Sequence, residues 1–174
     1  MIQIICEGRD DKNFINQFIR HLKLNACSVE QVGGKGSLLA VKTYSGITKE
    51  VQAGRTKKVL FVFDADFIED DRQCGGLKNS QQCIQDLIQN LGWNNIAVDY
   101  YIFDKNLDDF IIKTLDNKTD FEACEQCFKL KKLNKNRKIL TCIYQKLYPV
   151  KPYDFSHTNF NQLQQKLINL FNKS

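Results

Sequence analysis

Two aspartates one residue apart, Asp64 and Asp66, close the apolar run Val59-Leu60-Phe61-Val62-Phe63. A run of that kind predicts a strand buried on both faces. In extended backbone, side chains at i and i+2 point the same way. Two carboxylates held side by side repel, which is costly unless a cation sits between them. Hard oxygen donors of this sort suit Mg²⁺ or Mn²⁺. A strand ending in a polar turn accounts for the same residues, because Asp is common in turns. A third acid, Glu7, follows another apolar run, Ile2–Cys6, and stands before Gly8. If the two strands are neighbours, three carboxylates distant in sequence converge on one place. Acidic residues continue beyond the pair as Glu69, Asp70 and Asp71, in a polar, glycine-containing loop long enough to overhang such a pocket.

The segments that must position these acids alternate in type. Ile2–Cys6 predicts a strand, and Asp10-Asp11 opens a helical stripe of Phe14, Ile15, Phe18, Ile19 and Leu22, its first-turn acids favoured by the helix dipole. Ser28–Val32 reads as a second strand, Val59–Phe63 as a third and Ile96–Phe103 as a fourth. A helix over 81–91 carries Ile84, Leu87, Ile88 and Leu91 at helical spacing, with Asn79-Ser80 as its cap and Gly92 as its stop. Strands alternating with helices predict an α/β fold, a mainly parallel four-stranded sheet flanked by helices. In such sheets sites form beyond the carboxyl ends of the strands, where Glu7, Asp64 and Asp66 all fall. Residues 104–174 predict a helical extension: a loop into a helix at 104–112, helices over 121–133 and 138–147, breaks at Pro149 and Pro152, and an amphipathic helix over 160–171. The whole chain, 1–174, reads as one domain with a core of about 1–103.

Between the second strand and the following helix lies Gly33-Gly34-Lys35-Gly36-Ser37. Backbone N–H groups exposed in such a turn can bind an anion, so Gly34, Lys35 and Gly36 form a candidate phosphate site, with the Lys35 ammonium assisting. The spacing is not that of a Walker A loop. A turn that needs glycine dihedrals is the competing explanation.

With 174 residues the chain can bury a core without staples. Its 43% hydrophobic and 26% charged residues are ordinary for a globular protein, and no apolar run approaches a membrane span, so no membrane role is expected. An acid at Glu7 comes too early for a signal peptide. The seven cysteines are then read as reduced thiols and the compartment as the cytoplasm. A net charge of +5 permits a polyanionic partner. The basic residues gather between 128 and 151, a stretch without acids; a solvated helix face would look the same. Cys124-x-x-Cys127 lacks a second pair for zinc, His21 and His157 are isolated, and Tyr100-Tyr101 suits strand packing.

Glu7-Gly8-Arg9-Asp10-Asp11 after a first strand, a glycine turn after the second and Asp64-Ala65-Asp66 after the third together resemble the Toprim domain. That module serves topoisomerases, bacterial primases, OLD-family nucleases and small ribosomal-RNA maturation nucleases. The likeness covers about the first hundred residues. The remainder is similar to small stand-alone Toprim-like proteins of unknown function, through Leu107-Asp108-Asp109-Phe110, Lys138 and the final helix. The resemblance implies Glu7 as general acid/base or metal ligand, Asp64 and Asp66 as ligands to Mg²⁺ or Mn²⁺, and Asp70 as a further outer ligand. Lys138 would stabilise transition-state charge, and Asp109, placed after the fourth strand, is a candidate additional acid of the same pocket, where an acid at a helix start would look the same. Asp108 stands where those relatives carry Glu, and no nucleophilic tyrosine can be assigned, which argues against a DNA-relaxing enzyme. The expected activity is metal-assisted phosphoryl transfer on nucleic acid, nuclease-like. A module that binds metal and nucleotide or nucleic acid without cutting, as a subunit or homo-oligomer, is the alternative, and a scaffold for protein interaction a third.

Overall fold

The computed structural model describes residues 1–114, 153 and 155–172. The helices expected over 121–133 and 138–147, the Cys124/Cys127 pair, Lys138 and the basic stretch 128–151 lie outside the described residues. Four strands, β1 (Ile2–Cys6), β2 (Cys27–Gln31), β3 (Lys58–Asp64) and β4 (Ala97–Phe103), form one sheet in the order β2-β1-β3-β4, every pair parallel. Between them run α1 (Arg9–His21), the short α2 (Lys35–Leu38), a 3₁₀ turn at Val41–Tyr44, α3 (Ser45–Gln52) and α4 (Leu77–Leu91). After β4 come α5 (Leu107–Ile112), a 3₁₀ turn at Thr158–Phe160 and α6 (Asn161–Asn172). The protein is an α/β fold with helices on both faces of a parallel sheet.

The strand order reverses at the middle. The chain steps from β1 out to β2, then crosses back over β1 to lay down β3 and β4. Crossovers share one hand, so reversing the step must move the connecting helix to the opposite face. The side-chain layers show this. Ile4, Cys6, Leu60 and Val62 pack with Phe14, Ile15 and Phe18 of α1. Ile5, Val59, Phe61 and Phe63 pack on the other face with Leu38, Tyr44 and Val51, and with Ile84 and Leu87 of α4. The five apolar residues of β3 are fully buried because alternate side chains enter different layers.

α5 and α6 join the α1 layer. Phe14 is fully buried there, with Phe103, Phe110, Tyr153, Phe155 and Phe160 around its ring at centroid separations of 5.1–6.3 Å. Polar ties fix α6 against the sheet: Lys58 Nζ donates to the Leu170 carbonyl (2.8 Å) and Lys166 pairs with Asp99 (2.8 Å). No helix among the described residues is long and apolar enough to cross a membrane.

Because Phe14 links α1, β4, α5 and the 3₁₀ turn before α6 through one aromatic cluster, Phe14→Ala is expected to cost about 3–5 kcal/mol. Urea unfolding monitored by circular dichroism checks this, with a fall in midpoint at an unchanged slope as the expected form.

Candidate functional site

The reversal of strand order puts a crevice at the carboxyl ends of β1 and β3, the usual place for a ligand in an open α/β sheet. Cys6 is the register partner of Val62, so Glu7 and Asp64 leave adjacent strands one level apart. The Glu7 amide continues the ladder by donating to the Val62 carbonyl (3.1 Å), and its carboxylate Oε2 accepts the Asp64 amide (3.3 Å). Asp64 is 4% exposed, and its Oδ1 accepts the Leu107 amide at the start of α5 (2.9 Å). Two acids separated by 56 intervening residues therefore share one corner of the crevice.

Asp66 departs from the expected geometry. β3 ends at Asp64, and Asp66 has a left-handed backbone, φ 57°. Its amide donates to the Lys105 carbonyl (2.7 Å), while the Ala65 amide donates to the Phe103 carbonyl (2.9 Å). The two carboxylates of Asp64-Ala65-Asp66 are thus not side by side on one extended strand. Asp66 Oδ2 instead faces Lys35 Nζ at 3.4 Å. The like-charge repulsion expected of the pair is relieved by a turn and by an internal ammonium.

Lys35 also differs from its expected role at the mouth of the glycine turn. It is 9% exposed and its ammonium donates inward, to the Ala65 carbonyl (2.6 Å), to Ser80 Oγ (3.1 Å) and to Asp66. Gly33 and Gly34 have φ of 83° and 116°, conformations that call for glycine, and both amides donate to the Glu7 carbonyl (3.1 and 2.9 Å). The turn therefore holds the backbone of Glu7. The Lys35 side chain beside Gly34 and Gly36 is directed into the protein.

Ser80, fully buried, completes this arrangement by donating to the Cys74 carbonyl (2.6 Å) while accepting from Lys35. It is not the cap of α4, which begins at Leu77 after Gly76. A signal for its burial exists in the sequence: Ser80, Ile84 and Leu87 follow the spacing of the inward stripe.

The loop 67–76 folds onto itself. The Asp70 and Asp71 amides donate to the Phe67 carbonyl, and the Gly75 amide to the Asp71 carbonyl (2.7 Å). Asp70 lies on this exposed turn. Asp71 Oδ1 accepts the Cys74 and Gln73 amides (3.0 Å each), and these bonds, the Cys74 bond foremost, hold its carboxyl below the usual range. Cys74 and Cys83 form a disulfide that ties the loop to α4, in place of two expected reduced thiols. Cys6, next to Glu7, is a packing thiol: burial, with Asp11 adding to it, pushes its pKa well above the ordinary value.

Asp109 sits in the first turn of α5, paired with Lys113 (2.8 Å) and Lys105 (3.8 Å), and it raises the Lys113 pKa. Among the described residues no three His, Cys, Asp or Glu side chains form a ready-made metal cage. Comparison with known proteins gives no match to a family model, a curated protein or a solved structure.

A Cβ on Gly75 would lie 2.3 Å from the Asp71 carbonyl and 2.4 Å from that of Phe67, both backbone atoms. Gly75→Ala is therefore expected to open the loop and cost about 2 kcal/mol or more, read as a lowered Tm and faster amide exchange over 67–76. The depressed Asp71 pKa contributes stability that is full above its unfolded value of about 4 and is lost as pH falls through the lower folded value. Protection of the Gln73 and Cys74 amides, their exchange relative to the intrinsic rate at each pH, should fall only in that acid window.

Proposed function

We propose that this protein belongs to the class of divalent-metal-dependent phosphoryl-transfer proteins acting on nucleic acid. The observation that supports this best is the Glu7 carboxylate lying against the backbone amide of Asp64 at the crevice between the adjacent strands β1 and β3. The donor set fits Mg²⁺ or Mn²⁺ better than it fits zinc or calcium. Mg²⁺ keeps several waters and is commonly held by one or two carboxylates together with substrate phosphate, so it needs no full protein cage. Glu7 and Asp64 would hold the ion, which when bound supplies positive charge to a scissile phosphate. Glu7, on the longer side chain, is the group suited to move a proton at the attacking water or leaving oxygen. The Leu107 amide fixes one oxygen of Asp64, and the glycine turn fixes the backbone of Glu7, so neither acid needs large reorganisation.

Within that class, we read the chain as a Toprim-type nuclease, on the strength of Glu7-Gly8 and Asp64-Ala65-Asp66 at successive strand ends of one parallel sheet. Lys138 and the basic stretch 128–151 would meet the polyanion, and a cytoplasmic location goes with such a substrate. One observation favours a second reading. Lys35 is turned inward and Gly33 and Gly34 donate to Glu7, which withdraws the groups expected to grip a phosphate at that turn. A module that holds metal and nucleic acid without cutting would need less of that grip.

The test is cleavage of single- and double-stranded DNA and RNA with Mg²⁺ or Mn²⁺. Wild type is expected to cut, EDTA to abolish cutting, and Asp64→Asn and Glu7→Gln each to lower the rate at least about a hundredfold. Metal-dependent retention of nucleic acid without cutting, lost in Asp64→Asn, would favour the second reading. Absence of both metal binding and cutting would refute the proposal.

A further inference from the structure

We propose that Cys74 and Cys83 form a thiol switch, whose disulfide and dithiol states set the hydrogen bonding of Lys35 and of the Ala65-Asp66 turn beyond the carboxyl end of β3. This goes beyond the metal reading and does not rest on it.

Cys74 lies in the loop 67–76 and Cys83 in the second turn of α4, nine residues on. A ring that small adds less global stability than a long one, so the bond acts mainly on the loop itself. Both residues are only partly buried, within reach of a small thiol reagent. Among the described residues Cys6 and Cys27 remain thiols, and burial raises the pKa of each, which leaves less of the reactive thiolate. In a cytoplasmic protein, the location proposed above, a disulfide is usually transient, as in redox sensing.

Two bonds hold Cys74 to α4. One is the disulfide, through its sulfur; the other is the Ser80 hydroxyl, which donates to the Cys74 carbonyl at 2.6 Å. A hydroxyl has one proton to give, and Ser80 Oγ has a second acceptor in the Ala65 carbonyl at 3.2 Å. A carbonyl has two lone pairs, and Ala65 already accepts Lys35 Nζ at 2.6 Å and the Gly76 amide at 3.0 Å. While the disulfide keeps Cys74 in place, the shorter bond holds the Ser80 proton on the Cys74 side and leaves Ala65 to Lys35. With the disulfide cut and Cys74 withdrawn, that proton turns to the Ala65 carbonyl and competes there with Lys35. Ser80 is fully buried and Lys35 is 9% exposed, so water does not readily replace a lost partner. Lys35 also donates to Ser80 Oγ (3.1 Å) and faces Asp66 Oδ2 (3.4 Å), so the change reaches both sides of the turn.

A low-molecular-weight thiol of the glutathione type supplies the two electrons. Its thiolate attacks one sulfur of the Cys74–Cys83 bond, the S–S bond breaks, and the other sulfur leaves as a thiolate. A second glutathione thiolate then cleaves the mixed disulfide, releasing glutathione disulfide. The two protons lost by the glutathione thiols end on Cys74 and Cys83. The Gln73 carbonyl, 3.8 Å from Cys83 Sγ, stands ready to accept from the new thiol.

The test uses the full chain in glutathione buffers, with peptide mapping after alkylation for the thiol state and hydrogen exchange by nuclear magnetic resonance. Excess glutathione is expected to open the bond and excess glutathione disulfide to restore it, the chain staying folded throughout. On reduction, the Gln73, Cys74 and Gly75 amides and the Lys35 ammonium should exchange at least about tenfold faster, while β1 and β3 amides change less than about twofold. The double variant Cys74→Ser/Cys83→Ser should show the faster rates in both buffers. A folded Ser80→Ala chain should keep the loop response and lose the Lys35 response. Equal Lys35 exchange in the two wild-type states overturns the inference, as does a Lys35 response that survives Ser80→Ala. A bond that glutathione opens only when the chain unfolds marks a structural staple and overturns it too. So does a map in which Cys74 and Cys83 stay unpaired, or pair elsewhere, under excess glutathione disulfide. Should Ser80→Ala fail to fold, the wild-type comparison and the double variant decide. No readout involves metal or nucleic acid, so the metal reading stands or falls separately.

Discussion

Parallel pairing of β1 with β3 is the constraint on which the rest of this structure depends. These strands are 51 intervening residues apart, from Cys6 to Lys58, and the chain must go out to β2 and return before they can meet. That return brings several consequences at once. It buries β3 on both faces, it sends α1 and α3 to opposite layers, and it creates the crevice where Glu7 and Asp64 come together. Parallel strands cannot be joined by a tight turn, so the crossover segments are an unavoidable part of the solution. Here the second crossover, through α2 and α3, also delivers Lys35 to the end of β3.

Charge is handled at that end of the sheet by spatial separation. Asp64 and Asp66 are near neighbours in sequence, yet one is tied to the start of α5 and the other to a buried ammonium. A positive φ at a non-glycine residue is disfavoured. It is tolerated at Asp66 because the Ala65 and Asp66 amides are both engaged, by the carbonyls of Phe103 and Lys105, and because Lys35 binds the Ala65 carbonyl from within. The turn is thus over-determined by contacts from β4, α2 and α4. A pocket of about 500 Å³ along β4, lined by Asp99, Tyr100, Ile102 and Lys166, lies apart from these acids. The edge there is partly blocked, since Asp99 Oδ1 accepts the Tyr100 amide and pairs with Lys166. Charged groups on an edge strand discourage pairing with a foreign strand.

The loop after the acids is a second rigid element. The Asp70, Asp71 and Gly75 amides are bonded within it, its tip carries exposed Phe67 and Ile68, and the disulfide between Cys74 and Cys83 pins it to α4. Reduction of that bond would release Cys74, whose carbonyl accepts the Ser80 hydroxyl, and Ser80 in turn accepts from Lys35. The thiol state of this loop and the setting of the buried ammonium are therefore physically connected through two hydrogen bonds.

The sequence by itself determined the alternation of elements. Apolar runs at Ile2–Cys6 and Val59–Phe63 and the stripes of α1, α4 and α6 depend on period and burial, which are local properties, and β1 agrees residue for residue with its expected span. It also marked Glu7 and Asp64, because an acid directly after a buried strand stands out in the pattern. Tertiary structure alone decided where the side chains point. Nothing local says that Asp66 turns left-handed, that Lys35 points inward, or that Ser80 rather than solvent receives it, because each outcome depends on partners 15 to 45 residues away. The reduced state expected for Cys74 and Cys83 failed for the same reason: proximity of two thiols is a property of the folded loop, not of their spacing along the chain.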